Sequence, residues 1–188
     1  MEKQAMIDGL AATLHAQVER ARQLKTLPEA RLRYRAAEGQ WNVLEVFAHL
    51  VLSSGIYERG LRKVFAKQAR RLPDAPEFRP GVLGEWFTSG LRPKPDGRIA
   101  WKMKTLKAFD PARQHGASLE SINRFIHLCD GLLELLEQAR TTDLNRMKVA
   151  SSLGPVIRFK AGDAFRFAVA HQERHFLQIE RLLAAAGA

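Results

Sequence analysis

The chain has 188 residues, 46% of them hydrophobic and 8% aromatic, with a net charge of +10 and a single cysteine. That length suits one domain, residues 1–188, with a core of its own, and one cysteine excludes an internal disulfide framework. No run of about 18 apolar residues and no basic-then-apolar leader is present, so no membrane partner and a cytoplasmic location are expected.

Apolar residues at helical spacing predict four long helices, and no strand pattern competes with them. The first covers about residues 3–26, with Ile7, Leu10, Leu14, Val18 and Ala21 on one stripe, and stops before Pro28. The second runs from about Val43 to Arg70, with Asn42 as N-cap and Glu45 at the position that completes a capping box.

The connection from Arg71 to about Lys107 holds five of the eight prolines, which breaks any continuous helix; residues 82–91 suit a short one. Between Arg59 and Lys107 there are 13 Lys and Arg against 4 Asp and Glu, so this region carries +9 of the net charge. Such a patch attracts an anionic small molecule or nucleic acid, or simply keeps the surface solvated. Trp86, Phe87 and Trp101 suit a lid or a dimer contact at the bundle end.

The third long helix follows Ser118 and runs to about Arg140, burying Ile122, Phe125, Ile126, Cys129, Leu132, Leu133 and Leu136. The fourth begins near Asp163, after the connection SSLGPVIRFKAGD. The fold class expected is all-α, an antiparallel four-helix bundle with a long Pro-rich connection between its second and third helices.

Three histidines lie where such a bundle places inward-facing ligands. His171 and His175, four apart, share a stripe with Ala168, Gln178 and Leu182, and His49 shares one with Glu45, Leu52 and Ile56. A buried imidazole needs a hydrogen bond or a metal. The spacing fits either three core histidines held by hydrogen bonds or a three-nitrogen metal site with coordination positions left open. Glu45 and Gln178 are placed to orient a ligand, and Glu45 equally to cap its helix. Gln172 stands where an HExxH protease needs its glutamate, which excludes that chemistry. Glu173 and Arg174 fall on other faces and read as surface salt-bridge residues. His15, His115 and His127 have no spacing partner, and Cys129 reads as core.

The stretches WNVLEVFAHLV (41–51) and HQERHFLQIERLL (171–183) together resemble the DinB-like superfamily of metal-binding four-helix bundles. The resemblance implies that His49, His171 and His175 bind one divalent metal, zinc or nickel. It also implies a homodimer, and an activity such as that of the metal-dependent thiol transferases and isomerases of that family. An open position on a divalent ion lowers the pKa of a bound thiol or water, and the basic segment is then expected to draw in an anionic low-molecular-weight thiol. The alternatives are a stress-related protein that contacts nucleic acid and a non-catalytic metal-binding bundle.

Overall fold

The computed structural model describes residues 1–99, 101, 105–111 and 116–187; the expected loop position of His115 lies outside them. Four long helices, α1 (Lys3–Lys25), α3 (Val43–Gln68), α5 (Leu119–Ala139) and α6 (Ala161–Ala186), enclose one core, and two shorter ones, α2 (Glu29–Leu32) and α4 (Val82–Leu91), lie in the connections. The helix starts follow local hydrogen-bond chemistry. Asn42 Oδ1 accepts from Glu45 N at 3.0 Å while Glu45 Oε2 accepts from Asn42 N at 2.9 Å, so the two orphan donors at the head of α3 are satisfied together. Ser118 caps α5 in the same reciprocal way with Ser121.

The stripe Ile7, Leu10, Leu14, Val18 and Ala21 is buried, as are Ile122, Phe125, Cys129, Leu132 and Leu136 on α5. Phe47 and Phe65 of α3 pack on Phe125 and Phe165, with ring centroids 5.2 and 6.2 Å apart. His15 and His127 are exposed. No helix among the described residues is long and apolar enough to cross a membrane.

Two features correct the sequence expectation. Residues 148–160 form an antiparallel hairpin, β1 (Lys148–Ser151) and β2 (Gly154–Lys160), so the chain is mostly helical rather than all-α. Its signal is short: Val149 and Ser151 alternate inward, Phe159 opposes Val149, and Gly154 turns the chain at φ 145°, which only glycine adopts without strain.

Helix direction is the second correction. Along α3, Phe47 meets Phe125, Gly55 meets Leu128 and Arg62 meets Glu134, so α3 and α5 run the same way. Tyr57 and Phe65 meet Phe167 and Phe165, so α6 runs opposite to α3, and the head of α1 meets the tail of α5 where Lys3 Nζ donates to Arg140 O. Successive long helices that run parallel need a chain that returns along the bundle between them.

That returning segment is held by specific contacts. Gly81 N donates to Asp163 Oδ2 at 2.8 Å, and Glu85 pairs with Arg166 at 2.7 Å. A Cβ at Gly84 would overlap the Asp163 carboxyl group, so glycine lets α4 lie directly on α6. Trp86, Phe87 and Trp101 cluster, with Phe87 6.1 Å from Phe159 of the hairpin.

Candidate metal centre

The cap at Asn42 fixes the start of α3, and His49 follows less than two turns in, facing α6. On α6, His171 and His175 are one turn apart. The three rings meet: Nε2 of His171 lies 3.5 Å from Nε2 of His49 and 3.2 Å from Nε2 of His175. One ligand atom from each of the three lies within 4.8 Å of the other two, so the cluster could hold a metal ion.

The proton positions follow from the partners on the far side of two rings. Nδ1 of His49 is 2.8 Å from Phe109 O, and Nδ1 of His175 is 2.9 Å from Gln178 Oε1. Both partners are acceptors, so each Nδ1 donates and each Nε2 keeps a bare lone pair. His171 can donate from Nε2 to one neighbour only, which leaves at least one of the converging lone pairs without a proton. Such a set fits a cation. Nitrogens about 2.0–2.1 Å from a tetrahedral zinc would lie about 3.3–3.4 Å apart, and the two spacings observed bracket that value.

Burial sets the charge state. It holds the His175 pKa down to about 3, helped by His49 and opposed by Gln178. Burial, then the neighbouring His175 and His49, pushes His171 well below the usual histidine range, and burial lowers His49 against the opposing effects of the Phe109 carbonyl and Asp110. All three are therefore neutral ligands near pH 7. Trp41 lies 4.9 Å from the His49 ring and 6.4 Å from the His175 ring, limiting the orientation of both.

The cluster faces a cavity of about 90 Å³, room for several waters, lined in part by Ser53, Ser54, Tyr57, Ser152 and Arg174. A wider basin of about 400 Å³ shares Thr105, Arg174 and His175 with it and adds Trp41, Gln178 and Arg181. Tyr57 Oη lies 3.1 and 2.8 Å from the hydroxyls of Ser151 and Ser152, so the hairpin supplies a polar wall.

Of the other residues singled out in the sequence, Gln178 touches His175. Glu45 does not touch an imidazole: its carboxylate accepts from Asn42 N and from Arg35 Nη2 at 2.7 Å, so it caps the helix, and the Nδ1 of His49 goes to Phe109 instead. Gln172 is buried and donates to Ser54 Oγ at 3.2 Å, away from any role as a base. Glu173 and Arg174 form no ion pair among the described residues. Arg174 instead lines both cavities, with Nη1 donating to Trp101 O at 2.6 Å. Cys129 is fully buried, and burial raises its thiol pKa, so it stays a packing residue. Sequence reasoning missed the Phe109 carbonyl, which no residue type advertises, and the Trp41 ring, whose signal was an aromatic directly before an N-cap.

A family model described as the DinB superfamily matches residues 13–179, a span that includes all three histidines, Trp41 and Gln178. Among curated proteins and among solved structures there is no match.

Proposed function

The chain belongs to the DinB superfamily, and from that premise we propose that His49, His171 and His175 hold one divalent ion, zinc or nickel, at the centre of a thiol-dependent transferase or a related metal-dependent enzyme. The observation that carries this reading is the convergence of three Nε2 atoms while two of the rings direct Nδ1 at an acceptor. On the same reading, the four long helices are the superfamily's four-helix bundle, formed by the whole chain as a single domain.

Bound there, a divalent ion supplies a Lewis-acid position that lowers the pKa of a thiol or water. The protein's own residues do the rest. Phe109 O and Gln178 Oε1 fix the tautomers of His49 and His175, and Trp41 restrains both rings. Phe167 and Leu153 give the inner cavity apolar lining, and Ser53, Tyr57 and Ser152 line it with hydroxyls. Gln172 carries a carboxamide, which takes no proton, and donates to Ser54, so the general base of an HExxH protease is missing.

Elemental analysis of protein purified without a histidine tag tests the ion. One metal per chain, lost in His49→Ala and His175→Ala, is the expected result. Metal-loaded protein is then assayed with candidate thiols and electrophiles; no turnover with any pair, together with unchanged metal content in His49→Ala, would remove the proposal.

A further inference from the structure

Both cavities beside the three imidazoles are unusual in charge. Among the described residues lining them there is no Asp or Glu, while Arg174 lines both and Arg181 lines the outer one. The described Lys and Arg of the basic segment 59–107 line neither. Among the described residues, the positive charge lining the site therefore comes from α6, one residue before and six after His175.

Arg174 differs from the described arginines that the bundle pairs with carboxylates. Arg166 is paired with Glu85 and Asp163, Arg20 with Glu180, and Arg140 with Asp8 and Glu137. Arg174, half-buried, has no carboxylate partner among the described residues. Its single hydrogen bond there runs from Nη1 to Trp101 O, so among the described residues the edge formed by Nε and Nη2 has no partner. A guanidinium edge presents two parallel donors, which match the two oxygens of a carboxylate.

We propose that Arg174 anchors a carboxylate of the substrate at the junction of the two cavities, so that the thiol entering the inner cavity belongs to a molecule bearing a carboxylate a few bonds away. The inference rests on the metal-and-thiol reading above and adds the recognition element. The inner cavity, about 90 Å³, admits the reactive end, and the 400 Å³ basin takes the remainder of the molecule alongside Trp41, Gln178 and Arg181.

The test compares two probes, 3-mercaptopropionate and 3-mercaptopropanamide, binding to the zinc-loaded protein by calorimetry. The charge-assisted pair should favour the acid over the amide by roughly tenfold or more in the unsubstituted protein. Arg174→Gln should bring that ratio close to unity while the amide's affinity moves by less than about threefold, and Arg174→Lys should restore part of the preference. An unchanged ratio in Arg174→Gln overturns the proposal, because the preference then arises at the ion. Equal losses for both probes also overturn it, because Arg174 would then act only by holding the segment at Trp101. Zinc content is measured first: a chain that takes up no zinc removes both this inference and the reading it rests on, whereas a zinc-loaded chain with an unmoved ratio removes this one alone.

Discussion

In the metal-free protein, acid should destabilise the fold through His175, and the size of the effect can be worked out. The residue is 9% exposed, its pKa is about 3 in the folded chain, and its ordinary value is 6.5. Between those values the unfolded chain takes up a proton that the folded chain refuses. The contribution is fully present above pH 6.5 and is lost as pH falls toward 3, at about 1.4 kcal/mol per pH unit. From pH 7 to pH 5 the loss is about 2 kcal/mol, or about 4–8 °C in Tm for a chain of this size. His171 and His49 shift the same way and add to it, whereas Asp163, whose carboxyl pKa is raised by burial, acts in the opposite sense. The assay is denaturant unfolding of chelator-treated protein at both pH values, alongside His175→Gln. The substitution should reduce the pH-dependent loss by about 2 kcal/mol. Equal losses in the two proteins would refute the argument that burial keeps this imidazole neutral.

Three further outcomes are expected. Gln178→Leu removes the acceptor that holds the His175 tautomer and should weaken zinc binding by about 10–100-fold in a competition titration with a chelating dye. Glu45→Gln should leave that zinc affinity unchanged while lowering stability to denaturant by about 1 kcal/mol, because its carboxylate serves the α3 cap and Arg35 rather than an imidazole. Gly84→Ala drives a methyl group into Asp163 and should cost about 1–3 kcal/mol, read as a lower Tm with α4 displaced from α6.

Helical periodicity put each of His49, His171 and His175 on an inward stripe of an uninterrupted helix, and the DinB-like resemblance of 41–51 and 171–183 joined them into one set. The cap of α3 was legible for a similar reason, since Asn42 and Glu45 interact across one turn. Glu45 shows the limit of that logic: sharing a stripe with His49 places it on the same face, but the nearer backbone donor and Arg35 take its oxygens. Arg174 was read as a surface residue because periodicity cannot show what covers a helix face, and here Trp101 lies against it. The hairpin was missed because β1 has four residues and β2 carries Gly154 and Pro155, leaving too short an alternation to register. Helix direction is absent from periodicity altogether.

The long connection answers the direction problem and closes the site in the same stroke. With α3 and α5 running the same way, the chain leaving the end of a 26-residue helix has to travel back about 39 Å before α5 can begin. The return path ends near the head of α3, where His49 sits, and brings Phe109 O onto its Nδ1. The bundle grips this path through main-chain oxygens: His49 holds Phe109 O, Arg174 holds Trp101 O and Arg181 holds Gly97 O. A carbonyl is offered by every residue type, so these three contacts by themselves need no particular side chain, whereas α4 is held to α6 through Gly84 and Glu85. The three imidazoles themselves stay on α3 and α6, where rigid helices control their positions.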